Sequence, residues 1–439
     1  MQAILRWADL PGRRVGVWGA GVEGGATLRR LAAMNMRPSA LVDDGPGSAL
    51  RTDDGGLEAL LRCDVVVKSP GISRYSPAAL AVVDSGVSLV GGLGLWLEQE
   101  QGRKAVACIT GTKGKSTTTA ICGHLLRGLG QRCLLGGNFG QPPWDPDADV
   151  DVDYFIIETS SYQATDVTTG PPLVAVTSLS QDHLTWHEGA ENYFRDKLSL
   201  CRRPGVLEVI APSEDDELRR RAEELGPAVQ WVTVPPTPGW EAVLNLPGEH
   251  NRRNAHVAQA VLQALGAPGA DDPERLARAA RGFQGLASRL RTVGTVAGVR
   301  FVDDSLSTNV LPTLVAVETF GLEPLALLVG GHDRGIDYRP LAAGLLSRKG
   351  PTLVLGLPDS GARITALLRT ETATSTTTLE VRDCTDLDEA VRAGHSWLGG
   401  TGVLLLSPAA ASFGVHRDYR ERADRFAQSM RDLQHDNDA

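Results

Sequence analysis

Residues 109–126, ITGTKGKSTTTAICGHLL, carry the strongest structural signal in the sequence. A β-prone run, residues 104–109, ends in a turn that contains Gly111 and Gly114, and an apolar pattern with helical spacing follows. A strand, a glycine turn, a Lys-Ser/Thr sequence and a helix form a phosphate-binding loop, because backbone N–H groups and a helix N-terminus then face an anion. The stretch therefore predicts a site for ATP and Mg²⁺.

The residues of this loop that we expect to contact the nucleotide are Gly111, Thr112, Lys113, Gly114, Lys115, Ser116 and Thr117. Lys115 can reach the β- and γ-phosphates, and the hydroxyl of Ser116 or Thr117 can bind Mg²⁺. The standard motif has a glycine where Ile109 stands, so the loop is a shortened variant. The alternative is a glycine-rich turn with a surface lysine, which the order of strand, turn and helix disfavours.

Composition places the chain among ordinary globular proteins. A length of 439 residues predicts two to four domains, and a net charge of −9 without a long basic run argues against general nucleic-acid binding. The six cysteines form no CxxC pair, which indicates free thiols in a reducing cytoplasm. The sequence has no signal peptide and no apolar run that could span a bilayer, so we expect a cytoplasmic protein without membrane insertion.

Residues 1–102 are predicted to form a Rossmann-like domain. Gly19, Gly21 and Gly24 match G-x-G-x-x-G between a strand and a helix, which by itself would suggest NAD. Because the evidence for ATP chemistry lies further along the chain, we interpret this turn as a site for another nucleoside diphosphate, or as packing only. Ligands of such sheets lie beyond the carboxyl ends of the strands. The residues that would gather there are Gly21, Asp43, Ser69 and Gly71.

Residues 103–289 are predicted to form a second α/β domain, with a largely parallel sheet around the phosphate loop. Its strands end in polar residues, and one of them leads to Glu158, which can hold Mg²⁺ but could also be a solvated residue. A second strand is expected to end near Asp182 and His183, where His183 is a candidate metal ligand although Mg²⁺ prefers oxygen. Lys197 lies on a predicted helix and, taken alone, would be a solvated lysine.

Residues 290–439 are predicted to form a third domain, also Rossmann-like. Polar groups follow three of its strands and suit a small carboxylate substrate, although each alone is a turn-former. They are Asp304, Ser305, Thr308, Arg334 and Ser412. Near the join of the second and third domains, Asn254 and Arg289 could contact the nucleotide, or they could be a helix residue and one member of an ion pair.

Nine segments occur in the order seen in one family: ITGTKGKSTTTA, ETSSYQ, QDHLTWH, RDKLSL, HNRRN, SRL, VDDSLSTN, LLVGGHDRG and LLSPAAASFG. They are spread along the chain from Ile109 to Gly414, and the resemblance to which they belong covers nearly all 439 residues. The sequence resembles the Mur ligases of peptidoglycan synthesis, and most of all those that add glutamate to UDP-N-acetylmuramoyl-L-alanine. The resemblance implies ATP-dependent amide formation through an acyl phosphate, with UDP-substrate, ATP and amino-acid domains in that order. We expect a monomer.

The resemblance also implies roles for individual residues. Lys115 with Ser116 or Thr117 would handle the γ-phosphate and Mg²⁺, and two magnesium ions would be bound by Glu158, His183 and a carbamylated Lys197. The nucleotide would be contacted by Asn254, Arg289 and Asp304, the uridine diphosphate by Gly21, Asp43, Ser69 and Gly71, and the muramoyl-alanine by Asn138, Ser160 and Gln163. The incoming glutamate would be surrounded by Ser305, Thr308, Arg334, Ser412 and Tyr419. The carbamate would supply the oxygen ligands that a lysine lacks.

The sequence departs from the D-glutamate-adding enzymes at the amino-acid site. Their D-S-K-A-T-N loop has a lysine where Leu306 stands, Arg334 replaces another lysine, and Tyr419 replaces a phenylalanine. Lysine and arginine bind carboxylates with different geometry. The segments around these positions resemble a branch that adds L-glutamate, which we favour, with D-glutamate as the alternative.

Three other kinds of protein share some of these sequence features. A folylpolyglutamate synthase shares the phosphate loop and the lysine but lacks a Rossmann-like domain in front. A nucleotide-switch ATPase would explain the phosphate loop and Glu158, but it would leave the polar groups near Thr308 and Ser412 without a purpose. An NAD-dependent dehydrogenase would rest on the first glycine motif alone.

Overall fold

The computed structural model describes residues 5–45, 50–100, 102, 105–148, 151–333, 335–372, 379–412 and 414–438. The chain forms two compact units, residues 1–245 with 250–283, and residues 246–249 with 284–439. The described strands form three sheets, of which the first two belong to the first unit. Where the ligand-binding domains begin and end, at 102/103 and 289/290, stays a prediction. No described helix combines the length and the apolar character needed to cross a membrane.

The first sheet has four parallel strands in the order β2-β1-β3-β4. The valine-rich strands β1 and β3 are buried along their whole length, as expected for a parallel sheet covered on both faces. The elements of this region are a 3-10 helix (Trp7–Asp9), β1 (Val15–Trp18), α1 (Val22–Ala33), β2 (Ala40–Val42), α2 (Gly56–Leu61), β3 (Val65–Lys68), α3 (Pro77–Asp84), β4 (Ser88–Gly91) and α4 (Gly92–Glu100).

The second sheet has six parallel strands in the order β10-β9-β8-β5-β7-β6. Its elements are β5 (Ala105–Thr110), α5 (Lys115–Gly128), β6 (Cys133–Gly137), β7 (Tyr154–Glu158), α6 (Ser161–Ala164), β8 (Leu173–Val176), α7 (Leu184–His187), α8 (Ala190–Leu198), β9 (Glu208–Pro212), α9 (Asp216–Arg220), α10 (Ala222–Leu225), β10 (Val229–Val232), α11 (Glu249–Ala264) and α12 (Pro273–Ala280), with 3-10 helices at Ser199–Arg202 and Trp240–Leu244. The central strands β5, β7 and β8 place Thr110, Glu158 and Val176 at one edge.

The third sheet has the order β11-β12-β16-β13-β14-β15, with β11 antiparallel to β12 and the other pairs parallel. Its elements are β11 (Arg291–Val296), β12 (Val299–Asp303), α13 (Val310–Thr319), β13 (Leu325–Val329), α14 (Arg339–Ser347), β14 (Thr352–Gly356), α15 (Ser360–Thr372), β15 (Leu379–Asp383), α16 (Leu387–Leu398), β16 (Val403–Leu406) and α17 (Tyr419–Asp438). The prediction of an α/β fold with mostly parallel sheets is confirmed.

The first two sheets share one apolar core. Helix α4 connects them, and Trp96 on this helix lies with its ring centroid 5.3 Å from that of Phe155 on β7. Trp7 stacks on Trp144 in the same core at 6.5 Å. The first hundred residues therefore pack as part of the first unit and not as a separately packed domain, because large aromatic side chains are buried between the sheets.

A buried ion pair joins the same two regions. The ammonium of Lys68, at the end of β3, lies 2.6 Å from a carboxylate oxygen of Asp166, and both side chains are almost completely buried. Arg74 contacts the other oxygen of Asp166 at 2.5 Å. Burial lowers the pKa of Lys68, and the Asp166 carboxylate opposes that shift. The pair therefore depends on both partners, because a buried charge without its counterion is strongly destabilising.

We expect Asp166→Asn to lower the free energy of unfolding by about 3–5 kcal/mol, because the substitution leaves the buried Lys68 ammonium without a countercharge. Urea unfolding followed by tryptophan fluorescence measures the change. Asp153→Asn is the matched control, because Asp153 forms an exposed ion pair with Arg132 and should leave the unfolding midpoint nearly unchanged. Equal midpoints for the Asp166 variant and the wild type would contradict the prediction.

Candidate active site

The phosphate loop has the backbone that an anion site requires. Gly111 has φ +131° and Gly114 has φ +88°, and helix α5 begins at Lys115 immediately afterwards. A Cβ on Gly111 would lie 2.3 Å from Thr177 Oγ1, and one on Gly114 would lie 2.4 Å from Asn254 Oδ1. Only glycine fits at both positions, so the loop can approach its neighbours closely and still turn its amides toward a ligand.

The segment after β8 holds this loop in place. The Thr112 amide donates to the carbonyl oxygen of Ser178 at 2.8 Å, and the Thr112 hydroxyl donates to the carbonyl oxygen of Ser180 at 2.9 Å. The Lys113 amide donates to Ser178 Oγ at 2.9 Å, and Thr177 Oγ1 donates to the Lys113 carbonyl oxygen. Four hydrogen bonds to three residues that follow β8 therefore determine the shape of the loop, which is a form of preorganisation.

Two lysines meet on one carbonyl oxygen of the loop. Lys115 Nζ and Lys197 Nζ each donate to Gly111 O at 2.9 Å, and Lys115 also donates to Thr112 O at 3.1 Å. Lys197 is only 2 % exposed, so the solvated lysine considered from the sequence is not what the structure has. Burial lowers the pKa of Lys197 well below its usual range, and the charge of Lys115 lowers it further.

Glu158 lies at the end of β7, as its sequence predicted. Its side chain is 1 % exposed, and Oε1 accepts a hydrogen bond of 2.6 Å from Asn138 Nδ2. Among the described residues, the second carboxylate oxygen, Oε2, is buried and has no hydrogen-bond partner. A buried carboxylate oxygen without a partner is costly, and Mg²⁺ coordination would satisfy it. The observation therefore fits the predicted metal role of Glu158.

His183 lies in the loop before the short helix α7, with a left-handed backbone conformation at φ +51°. The predicted strand ending near Asp182 is wrong in length: β8 stops at Val176, because the following residues turn aside to bind the phosphate loop. Burial lowers the pKa of His183, the Asp182 carboxylate raises it, and the charges of Lys197, Lys115 and Lys113 lower it. A neutral imidazole near these groups can serve as a metal ligand.

The donor set suits magnesium only if Lys197 contributes oxygen. No cluster of three or more His, Cys, Asp and Glu side chains that could hold a metal is found in the part of the chain that the structure describes. Glu158 would supply one oxygen ligand, and Ser116 and Thr117 would add hydroxyls from the first turn of α5. A carbamate on Lys197 would add two oxygens, which is the arrangement that the resemblance implies.

The three predicted nucleotide contacts are found in two places. Asn254 in α11 is buried against Gly114 and donates to Asn251 Oδ1 at 3.3 Å. Arg289 and Asp304 belong to the second unit. Arg289 stands between Ser288 and Leu290, which both have positive φ, of 59° and 46°. Such strained backbone at non-glycine residues is concentrated at functional sites.

Asp304 is buried in a hydrogen-bond network. Its carboxylate accepts from Ser307 Oγ at 2.5 Å, from Ser407 Oγ at 2.7 Å and from the Leu290 amide at 3.2 Å. Burial raises the pKa of Asp304 to about 6. The carboxylate thus holds the backbone next to Arg289 through Leu290, whatever contact it makes with a nucleotide.

The four residues predicted to bind a nucleoside diphosphate line one cavity of about 430 Å³ beyond the first sheet. The cavity is lined by Trp18, Gly19, Gly21, Val22, Glu23, Asp43, Asp44, Gly45, Ser69, Pro70, Gly71 and Ile72. A Cβ on Gly24 would lie 1.8 Å from Gly19 O, whereas one on Gly21 would meet nothing within 4 Å. The motif therefore combines packing at Gly24 with open space at Gly21, which is where a ligand can enter.

Ser160 and Gln163 first have a structural role. Each side chain bonds to the backbone amide of the other residue, at 3.1 Å and 2.8 Å, and together they form the capping box of α6. Gln163 Nε2 also donates to Glu23 Oε1 at 2.6 Å, and Glu23 lines the cavity of the first sheet. Burial raises the pKa of Glu23 to about 7. These residues thus connect that cavity to the strand end that carries Glu158.

The sequence did not predict a second set of hydrogen bonds, which joins the loop after β3 to the region of the phosphate loop. His187 Nδ1 lies 2.7 Å from Asp196 Oδ2, and its Nε2 lies 2.9 Å from Ser161 Oγ. Tyr75 OH donates to both oxygens of Asp196 at 2.8 and 3.0 Å, and Trp186 Nε1 donates to Gly71 O at 3.1 Å. The loop after β3 is therefore bonded to the segments that carry His183 and Lys197. The aromatic and polar composition of QDHLTWH was the only sequence signal for it.

Three of the residues predicted to surround the glutamate, Ser305, Thr308 and Ser412, lie in the loops that leave the adjacent strands β12 and β16. Ser305 is buried and donates to Asp303 Oδ1 at 2.6 Å, and Thr308 is partly exposed. Ser412 is buried, and Tyr419 begins α17, where its hydroxyl accepts from Arg420. The last of the predicted residues, Arg334, lies outside the described residues.

We expect Gly114→Ala to weaken nucleotide binding roughly tenfold or more, because a left-handed non-glycine residue costs about 1–3 kcal/mol and its Cβ would collide with Asn254. Titration with a fluorescent ATP analogue gives the dissociation constant. Gly130→Ala is the control: Gly130 has φ +79°, but a Cβ there meets nothing within 4 Å. Equal affinities of the two variants would show that the contact with Asn254 is unimportant.

Comparison with known proteins agrees with this geometry. Residues 109–234 match the model of the Mur ligase middle domain. The chain is 38 % identical to the UDP-N-acetylmuramoyl-L-alanine–L-glutamate ligase of a Micromonospora species, over 98 % of each chain, and 38 % identical to the enzyme of that name from Salinispora tropica, over 98 % of this chain and 99 % of the relative. Among solved structures, UDP-N-acetylmuramate–alanine ligase from Thermotoga maritima matches with a TM-score of 0.57 and 17 % sequence identity. The match covers 96 % of this chain and 99 % of that one, and it supports the predicted three-domain fold. The chain belongs to the Mur ligase family.

Proposed function

We propose that the protein is an ATP-dependent ligase that joins glutamate to UDP-N-acetylmuramoyl-L-alanine through an acyl phosphate, in the synthesis of peptidoglycan precursors. The observation that carries this proposal is the meeting of Lys115 and Lys197 on the carbonyl of Gly111. A loop that only binds a nucleotide as a switch needs the first lysine. It has no need of a second, buried one.

The chemistry follows from the charges around the loop. The alanine carboxylate of the nucleotide substrate attacks the γ-phosphorus of ATP, the bond to ADP breaks, and an acyl phosphate forms. The amine of glutamate then attacks the acyl carbon, and phosphate leaves. Lys115 would offset negative charge on the transferring group, and Mg²⁺ held by Glu158 and the first-turn hydroxyls would neutralise charge on the phosphates. Catalysis thus rests on positioning and electrostatics, for which the bonded loop is suited.

Lys197 would act as a carbamate. Its amine must be neutral to attack CO₂, and burial beside Lys115 lowers its pKa in that direction. The reaction forms an N–C bond and releases a proton. The carbamate would face Mg²⁺ together with Glu158, whose unpartnered Oε2 needs a ligand, and with the neutral ring of His183. Two metal ions and their ligands are part of the proposal.

The nucleotide substrate would lie along the connection from the first sheet to the phosphate loop. Its uridine diphosphate would occupy the cavity at Gly21, Asp43, Ser69 and Gly71. Asn138 is bonded to Glu158 and could orient the muramoyl-alanine toward the γ-phosphate. The cavity and the loop belong to one compact unit.

The amino acid would bind where the loops after β12, β13 and β16 meet. We favour L-glutamate over D-glutamate, because Leu306 replaces a lysine at this site and the 38 % identical relatives are named as L-glutamate ligases. The six cysteines are free, which suits the cytoplasm, where the nucleotide precursors would be found. We further propose that the enzyme acts as a monomer.

The test of the function is phosphate release with UDP-N-acetylmuramoyl-L-alanine, ATP and one amino acid at a time. We expect release only when all three are present, because the acyl phosphate must be consumed by an amine. We also expect kcat/KM for L-glutamate to exceed that for D-glutamate by at least about 100-fold, which corresponds to one or two well-placed hydrogen bonds. Strong release with ATP alone would refute ligase chemistry, and a preference for D-glutamate would refute only the assignment of the enantiomer.

We expect Lys197→Ala to lower kcat by roughly 10²–10³, the size of effect seen when one electrostatic group is removed from a preorganised site. Acetate or formate should restore part of the activity, since a small carboxylate can occupy the space of the carbamate. Lys349→Ala is the control, because Lys349 is exposed and outside the site. Near-normal turnover of the Lys197 variant, or an equal stimulation of the Lys349 variant by acetate or formate, would contradict the carbamate role.

A further inference from the structure

One arginine lies buried where the three loops of the third sheet meet. Arg422, in α17, is 1 % exposed. Its Nη2 donates to Ser305 O at 2.8 Å and to Ala410 O at 3.3 Å, and its Nη1 donates to Ala410 O at 3.3 Å. One guanidinium group therefore bonds the loop after β12 to the loop after β16. Those two strands are neighbours and run parallel, so both loops leave the same edge of the sheet.

The loop after β13 packs against the same group. A Cβ on Gly331 would lie 3.1 Å from Arg422 Nη1 and 2.3 Å from Ala411 O, and Gly331 has φ +143°. The next residue, His332, donates its amide to Ala411 O at 2.8 Å. Glycine at position 331 thus leaves room for the backbone close to the arginine, and the His332 amide bonds the loop after β13 to the loop that Arg422 holds.

Burying the Arg422 guanidinium costs more free energy than burying an apolar side chain would. The hydrogen-bond acceptors of Arg422 are neutral carbonyl groups, and Nε is buried without an acceptor among the described residues. Burial lowers the pKa of Arg422 to about 10, and the nearby Asp303 carboxylate opposes this, so the group stays charged at neutral pH. Ala409, next to the bonded carbonyl, has φ +55°, which is strained for a non-glycine residue. A buried charge and a strained turn are retained here although apolar residues would pack at lower cost.

We infer that Arg422 is a positioning residue of the amino-acid site, which fixes the backbone around Leu306 and Ser412 and so determines the affinity and the enantiomer selectivity for the incoming amino acid. The inference rests on the proposed function for the identity of the ligand. Leu306 directly follows one bonded carbonyl, and Ser412 is two residues after the other. The planar guanidinium bonds both carbonyls at once, which the single point charge of a lysine reproduces poorly.

Arg422→Lys tests the inference, because it keeps the positive charge and removes the planar guanidinium that bonds both carbonyl groups. We expect the KM for glutamate to rise roughly tenfold, the effect of losing one hydrogen bond to a charged group, and the ratio of kcat/KM for the two enantiomers to fall. The KM for the muramoyl-alanine nucleotide should stay within about twofold, since its proposed cavity is lined by residues of the first sheet and its loops. Arg425→Lys is the matched control: it lies one turn further along α17, is half exposed and pairs with Asp388.

Hydrogen exchange gives a second readout that needs no turnover. Amides of residues 305–308 and 409–412 should exchange faster in Arg422→Lys than in the wild type or in Arg425→Lys, because the loops are no longer bonded to a common group. If the lysine variant does not fold, Arg422→Gln, which keeps one amide donor, replaces it in both measurements.

The outcomes separate the inference from the proposed function. A lower melting temperature with unchanged KM for glutamate and unchanged exchange in the two loops would mean that Arg422 only supports the fold, and it would overturn the inference. If the wild type uses another amino acid, the proposed substrate is wrong, and the same KM comparison is made with that amino acid. If no amino acid supports phosphate release, the exchange rates alone decide whether Arg422 holds the loops.

Discussion

The structure around the phosphate loop depends on two lysine ammonium groups that bond the same backbone carbonyl oxygen. Lys115 and Lys197 both donate to Gly111 O, and Lys197 is buried. Two ammonium groups so close repel each other, which together with burial lowers the pKa of Lys197. Such a site favours whatever brings negative charge to it, whether a polyphosphate, a metal-bound carboxylate or a carbamate on the second lysine. The rest of the first unit holds that crowded arrangement in place.

Parallel sheets make this possible because their strands end at a common edge. In the second sheet, the ends of β5, β7 and β8 supply the phosphate loop, Glu158 and the segment that binds the loop. The first and third sheets repeat the arrangement, with a cavity at the glycine motif in one and three bonded loops in the other. The buried apolar strands provide rigidity, and the polar residues just beyond them provide chemistry.

Several residues serve the fold and the site together. Ser160 and Gln163 cap a helix and also reach toward the cavity of the first sheet through Glu23. His187 and Asp196 are buried, and they bond the loop after β3 to the helix that carries Lys197. In such networks each polar group is satisfied by another, so the loss of one partner is costly. Binding in the cavity and geometry at the phosphate loop are therefore physically connected.

Local sequence patterns were enough to predict the α/β class, the phosphate loop and the strand-end positions of Glu158 and of the cavity residues, because strand, turn and helix signals each lie within a short stretch of chain. It also placed Lys197 on its helix but could not show that this lysine is buried. The end of β8 was misjudged by six residues, and the roles of His187, Asp196 and Arg422 were not seen. Only the tertiary structure decided these, because hydrogen bonds between residues such as Tyr75 and Asp196, or Ser305 and Arg422, join positions more than a hundred residues apart and leave no periodic pattern in the chain.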